Sequence, residues 1–300
     1  MTHALVLAGT LLVPKLPPGR PAAPPSAVVV ESPGGGVVSD AAMLDRLARA
    51  DVVYAGEKHD DPLHHGVQFE VLKGLHARRR GLALGLEMVD RGQQAALDAW
   101  TAGRTSDADF EAFWKKAWGY DFAMYAPLLR YAKANGLRIV GLNAPRALVS
   151  KVYRGGLAAL TPAERALLPA SVAQTSDADY LKYITDAINE SHGNPPPAAL
   201  ANMLEAQAVW NETMGESVTD ALAAGAEGVL VVAGSGHMVF RGGVPESAGR
   251  RRAVSQAVVL PWPDAGGRAP LADMLRELRD PARALLKRAD FFWLLPDLSP

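Results

Sequence analysis

The sequence predicts an α/β fold: a mostly parallel central sheet flanked by helices, with a helical insertion at about residues 144–226. Three observations carry this reading. Four short apolar runs, Asp51–Ala55, Gly81–Leu86, Leu137–Leu142 and Gly228–Ala233, have the length and the Val/Leu content of buried strands. Segments with helix caps and helical length separate the first three, which is the βαβ alternation of a parallel sheet. Each run also ends in a polar residue fit for chemistry: Gly56-Glu57-Lys58-His59, Glu87, Asn143 and Gly234-Ser235-Gly236-His237. Ligands of open α/β sheets bind outside the carboxyl ends of the strands, so these residues are expected to converge on one crevice.

Residues 1–36 read as a signal-like, Pro-rich segment and 37–300 as a single domain. Ala4–Val13 has the length of the apolar region of an export signal, but Met1-Thr2-His3 carries no Lys or Arg; export signal and plain tail stay open. Prolines 14, 17, 18, 21, 24, 25 and 33, followed by Gly34-Gly35-Gly36, mark a linker, with Ala27–Glu31 as a short edge strand. Ser39 or Asp40 caps a helix to about Ala50. After the first core strand, Asp60-Asp61-Pro62 is a helix start, a carboxylate cap followed by Pro in the first turn, for a helix to about Arg79. A helix over Asp90–Ala102 follows the second strand. Thr105 or Ser106 caps the next, to about Lys116, and another runs from near Asp121 to Asn135, where Gly136 stops it. Helices at about 145–154, 162–168, 176–190 and 197–225 build the insertion. Ala253–Leu260 is a further strand, 270–288 is helical, and the end with Phe291-Phe292-Trp293 packs on the body.

Composition excludes several function classes. A net charge of −1 gives no electrostatic basis for nucleic-acid binding. Arg78-Arg79-Arg80 reads as a solvated helix end, where cations are favoured. With no cysteine there is no thiolate catalysis, no disulfide and no Cys-based zinc or iron–sulfur site. No other apolar run is long enough to span a bilayer.

The chemistry sits at the strand ends. Glu57 and His59 lie on one turn, and His64 and His65 follow on the first turn of the next helix. Glu87 comes straight after five apolar residues, where burial raises a carboxyl pKa unless a cation compensates. Small residues around His237 let its ring project over the sheet edge. Glu57, His59, Glu87 and His237 suit a divalent transition metal such as Mn, Co, Fe or Zn, and equally metal-free acid–base work. There is no H-E-x-x-H and no G-x-S-x-G, which argues against a common metalloprotease helix and a serine nucleophile elbow. Seven of the twenty aromatic residues fall between Phe110 and Tyr125. They read first as the core face of a helix pair and second as a flat wall for a planar ligand such as haem, whose iron accepts Tyr, His or Met.

With these residues laid out, the chain resembles the ChaN-like haem-binding family of the Tiki and erythromycin-esterase-like superfamily. The stretches that carry the resemblance are Val53-Tyr54-Ala55-Gly56-Glu57-Lys58-His59-Asp60-Asp61-Pro62-Leu63-His64-His65, Leu84-Gly85-Leu86-Glu87-Met88 and Trp118-Gly119-Tyr120-Asp121. They continue through Tyr125-Ala126-Pro127-Leu128-Leu129, Gly141-Leu142-Asn143-Ala144-Pro145-Arg146, Gly234-Ser235-Gly236-His237-Met238 and Gly243-Val244-Pro245, in order over about residues 50–260. The resemblance implies a haem-binding, iron-uptake-associated protein of the periplasm or cell envelope, membrane-associated through its N-terminus, and a homodimer enclosing paired haems. The lipoprotein cysteine of the family is missing here. By this reading Tyr120 or Tyr125 binds haem iron, with Tyr153 a third choice, and His64 or His65 is the distal partner. Asn143 lies in the same crevice. Arg146 pairs with a propionate or is a surface cation at a helix start. The wider superfamily also contains metal-dependent proteases with a G-x-x-H motif, matched by Gly56 and His59. The rival expectation is therefore a metal-dependent peptidase or esterase whose ion is held by Glu57, His59, Glu87 and His237 and activates water.

Overall fold

The computed structural model describes residues 28–264 and 267–297. Eight strands form one sheet: β1 (Val28–Glu31), β2 (Gly36–Val38), β3 (Val52–Glu57), β4 (Leu82–Asp90), β5 (Arg138–Asn143), β6 (Gly228–Gly234), β7 (Gln256–Trp262) and β8 (Phe291–Leu294). Their spatial order is β2-β1-β8-β7-β3-β6-β4-β5. The strands from β8 to β5 are mutually parallel, and β1 is antiparallel to both its neighbours. The four strands expected to carry chemistry, β3, β6, β4 and β5, are contiguous, so their carboxyl ends form one edge.

Alternation along each strand feeds two apolar layers. Val53, Ala55, Leu84, Leu86, Leu230 and Val232 pack on one face under α1 (Asp40–Leu47), α2 (Pro62–His76), α3 (Gln94–Thr101), α4 (Asp107–Ala117) and α5 (Phe122–Ala134). Val52, Tyr54, Ala83, Val229, Val231 and Ala233 pack on the other. That face is covered chiefly by residues of α8 (Ala178–His192), α9 (Pro197–Ala223), α10 (Val244–Arg251) and α11 (Leu271–Arg279). The insertion begins with α6 (Arg146–Gly155) and the short α7 (Pro162–Arg165), and α6 makes its own small core with α9 through Leu148, Val149, Val152, Ala206 and Val209. Caps fall where expected: Ser39, Asp61, Ser106 and Asp121 each accept from a backbone N–H of the first turn. No helix among the described residues is long and apolar enough to cross a membrane.

Four expectations need correction. The linker does not reach residue 36: β1 and β2 form a hairpin within the sheet, with Gly35 at φ 66° in its turn, so the domain includes residues from 28 onward. The edge strand is β2 rather than β1, because β1 also pairs with β8; Ala27 and the apolar run 4–13 lie outside the described residues. The end of the chain supplies β8, an inner strand whose four residues are all buried. The helix expected over 270–288 stops at Arg279, and a 3-10 turn follows at Leu285–Arg288.

β4 also runs further than its apolar run suggests. Leu86 pairs with Gly141 but Asp90 with Asn143, so β4 bulges against β5 over residues 87–89. Gly141 makes room for the bulge, since a Cβ there would lie 2.9 Å from the Asp90 carbonyl oxygen. Glu87 is thus part of the strand, just past its last pair with β6.

Candidate functional site

Glu57 ends β3 and is buried, with four donors on its two oxygens. Oε1 accepts the phenol of Tyr125 at 2.7 Å and lies 2.7 Å from Nδ1 of His59. Oε2 accepts Nε2 of Gln68 at 2.9 Å and lies 3.1 Å from Nδ1 of His65. These partners come from α2, α5 and the loop after β3. Burial alone would raise the carboxyl pKa, but His65 and His59 outweigh it and hold Glu57 ionised well below the usual carboxylate range.

His59 stands over this carboxylate with 29% of its side chain exposed. Its ring meets Trp118 edge-on at 4.8 Å and Tyr120 at 5.5 Å. Burial pulls its pKa down, yet the bond to Glu57 and the nearby Glu87 and Asp60 charges win, pushing it up to about 9. Below it, Gly234 is paired with Glu57 across β3 and β6. A Cβ on Gly234 would sit 2.9 Å from Cε1 of His59, so the bare glycine is the floor on which the imidazole rests.

Glu87 has a separate set of partners. Its Oε2 accepts the Gly234 N–H at 2.6 Å, and Oε1 lies 3.3 Å from Nε2 of His237. Nδ1 of His237 is 2.8 Å from Oδ1 of Asn211, whose amide donates to Tyr180 at 2.8 Å; the Tyr180 phenol in turn donates to the Gly236 carbonyl. Burial opposes the Glu87 charge, and His237 outweighs it, so its pKa is lowered.

The quartet expected to share a divalent ion therefore separates into two pairs. Glu57 is bound from α2 and α5 on one side of the sheet, and Glu87 through His237 from α9 on the other. Among the described residues no three His, Asp or Glu side chains are grouped to hold a metal. The divalent-metal centre, and the hydrolase built on it, lack that arrangement.

Two other expectations change. His64 and His65 are buried and both nitrogens of each ring are engaged. His64 accepts the Lys58 N–H on Nδ1 and faces the Pro263 carbonyl with Nε2; His65 faces Glu57 and the His59 carbonyl. Neither offers a nitrogen to haem iron. Burial drops the His64 pKa to about 4, while Glu57 outweighs burial and raises that of His65. Tyr125 is likewise enclosed: it accepts Nε1 of Trp118 at 3.2 Å while donating to Glu57. Asn143 braces the bulge, donating to the Glu87 carbonyl at 2.9 Å. Arg146 is exposed at the start of α6, and Tyr153 is half-buried on the same helix against His192.

Tyr120 is different. It is 38% exposed, and its hydroxyl has no hydrogen-bond partner among the described residues. With Trp118 it forms an aromatic lip beside His59, their rings 5.5 Å apart. Partial burial and the Asp60, Glu57 and Glu87 charges raise its pKa. Lys58, also exposed, pairs with Asp60 at 3.1 Å on the same loop.

Sequence reasoning missed Gln68, Asn211, Tyr180 and Gln207, whose Nε2 lies 3.1 Å from Nδ1 of His237. Gln68 could have been found as the residue one turn beyond His65 on the same face of α2. Asn211 and Gln207 lie in the middle of a 27-residue helix, where no motif marks them. Gly56 lies inside β3, where a Cβ would come 2.5 Å from Cδ2 of Leu260.

Residues 43–247 match the family described as haem-binding uptake, Tiki superfamily, ChaN. The chain belongs to this family. A solved structure of ChaN from Campylobacter jejuni, described by its cofacial haem binding, superposes with a TM-score of 0.67 at 21% identity, covering 90% of this chain and 97% of that one. A succinoglycan biosynthesis protein superposes with a TM-score of 0.54 at 12% identity, covering 90% and 94%. At these identities the likeness is one of fold. The chloroplastic protein RETICULATA-RELATED 5 of Arabidopsis thaliana is 27% identical over 257 residues. That match takes in 77% of this chain but 34% of the plant protein, so this ChaN-family chain spans about a third of that relative's length.

Proposed function

We propose that the chain binds haem at the carboxyl edge of its sheet, against the lip of Trp118 and Tyr120, with the Tyr120 phenolate on iron. The observation that carries this reading is the unpartnered, half-exposed phenol of Tyr120 beside His59. The residues present fit the group. Trp118 and Tyr120 offer aromatic surface to a porphyrin, and Lys58 and the imidazolium of His59 are cations within the same loop for carboxylates. Tyr120 would hold the group through its phenol oxygen, and ferric iron would supply the Lewis acidity that loss of the phenol proton needs, given the raised pKa of Tyr120. Membership of a haem-binding uptake family supports the same ligand.

We propose further that the protein serves haem or iron uptake at the cell envelope and that a homodimer closes over the lip. A half-exposed aromatic pair leaves one face of a bound porphyrin open, which a second copy would cover.

The test is a hemin titration followed by ultraviolet–visible spectroscopy, with sedimentation of the loaded protein. A saturable ferric-tyrosinate spectrum is expected, lost in Tyr120→Phe and kept in Tyr125→Phe, whose phenol is held by Glu57. Unchanged binding in Tyr120→Phe overturns the ligand assignment, and non-saturating binding overturns the haem reading. A loaded monomer overturns the dimer.

A further inference from the structure

A second site lies at the opposite edge of the sheet. A cavity of about 270 Å³ opens where α1 ends and where β7 and β8 begin, lined by Arg46, Arg49, Arg241, Ala50, Ala257 and Phe291. Glu31 and Asp290 line it as well, so three guanidiniums face two carboxylates and the cavity has one cation in excess. Arg46 pairs with Glu31, and Arg241 with Asp290 and with the Gln256 carbonyl. The Arg49 guanidinium has no partner among the described residues. Its planar fork of N–H donors matches a carboxylate.

The backbone also holds Arg241 at this cavity at some cost. Phe240 and Arg241 have φ of 58° and 57°, two successive non-glycine residues in the left-handed region. Such conformations persist where the surroundings over-determine them, and they cluster at functional sites. Here the Phe240 ring packs on Tyr183, and the Arg241 ion pair fixes the next side chain. Ala50, Ala257 and Phe291 are short or buried side chains that give the cavity an apolar floor.

We propose that this cavity binds a small organic carboxylate, its charged end on Arg49 and its body on Ala50, Ala257 and Phe291. The site is separate from the lip of Tyr120 and needs no haem. No side chain or backbone group among the described residues pairs with the Arg49 guanidinium, so Arg49→Gln removes the ligand contact without breaking an intramolecular one seen there.

The experiment is a backbone amide chemical-shift titration of the full chain with sodium benzoate, against inorganic phosphate at matched ionic strength. Saturable benzoate shifts confined to residues 46–50, 241 and 255–257 are expected, with affinity at least tenfold weaker in Arg49→Gln and weakened to an intermediate degree in Arg49→Lys, which keeps the charge but loses the planar fork. Equal affinity in Arg49→Gln, no saturation, or shifts centred on Tyr120 would overturn the proposal. Phosphate binding as tightly as benzoate would overturn the assignment of an organic body. Thermal unfolding of each variant guards against misfolding, and Arg49→Lys keeps the test decisive if Arg49→Gln is unstable.

Discussion

Nδ1 of His59 lies 2.7 Å from Oε1 of Glu57, and that same oxygen accepts the phenol of Tyr125. The part-exposed imidazole is thereby tied to a buried charge whose other partners hold helices α2 and α5 to the sheet. The proposed function at the lip and the stability of the core share one carboxylate.

Replacing that carboxylate tests the sharing. Glu57→Gln removes the counter-charge of His59 and His65 and leaves buried donors facing an amide. Breaking a buried ion pair typically costs about 3–5 kcal/mol. Urea unfolding should report a loss of that order, and a loss below about 1 kcal/mol would show that the network is not a structural unit.

The two tyrosines should separate in the same assay. Tyr125→Phe leaves Glu57 short of a donor and should cost about 1–3 kcal/mol. Tyr120→Phe removes an unpartnered hydroxyl and should stay within about 0.5 kcal/mol of the parent. Equal effects would contradict the contrast in their environments.

Stability should pass through a maximum near the ordinary histidine pKa. The folded pKa of His59 is raised from 6.5 to about 9, so its contribution is complete below 6.5 and is lost as pH rises through about 9. His64 is shifted the other way, from 6.5 to about 4, so its contribution is present above 6.5 and is lost as pH falls towards 4. Unfolding free energies across this range should decline on both sides. His59→Gln should shrink the alkaline limb, to which the raised pKa of His65 also contributes, and an unaltered limb would remove His59 as a cause.

Two glycines should behave differently. Gly234→Ala places a methyl 2.9 Å from the His59 ring. It should push the imidazole off its floor, lowering hemin affinity and moving the His59 resonance towards an ordinary titration. Gly56→Ala collides with Leu260 and Ser235 inside the sheet and should cost about 1–3 kcal/mol of stability through overpacking. A Gly234→Ala protein with parental hemin binding would show that His59 has other support.

Much of this architecture is legible in the residues. The four apolar runs give β3, β4, β5 and β6 because buried parallel strands are near-continuous in Val, Leu and Ala. Asp61, Ser106 and Asp121 announce their helices through caps. The strand-end pattern identifies Glu57, His59, Glu87 and His237, but it does not say which face each occupies. That depends on the bulge at 87–89 and on α9, both set by tertiary packing. His64 and His65 look available in the sequence because a first helical turn is ordinarily solvated; here the Lys58–Asp61 loop and Pro263 fold over them. β8 is hidden because Phe291-Phe292-Trp293-Leu294 is too short to distinguish a strand from a packed tail.

The position of β6 between β3 and β4 has a consequence for biosynthesis. A chain emerging from the ribosome completes β3, β4 and β5 long before Gly228 is made. During that interval β3 and β4 have no strand between them to pair with, and the lip residues 118–125 already exist without the Gly234 floor. The proposed binding edge is therefore assembled late, by a contact spanning 147 residues between Glu87 and Gly234. Such long-range closure is slow, and it leaves two apolar strand edges in need of protection until it occurs. A fragment ending before Gly228 should aggregate rather than bind, whatever residues it carries at the lip.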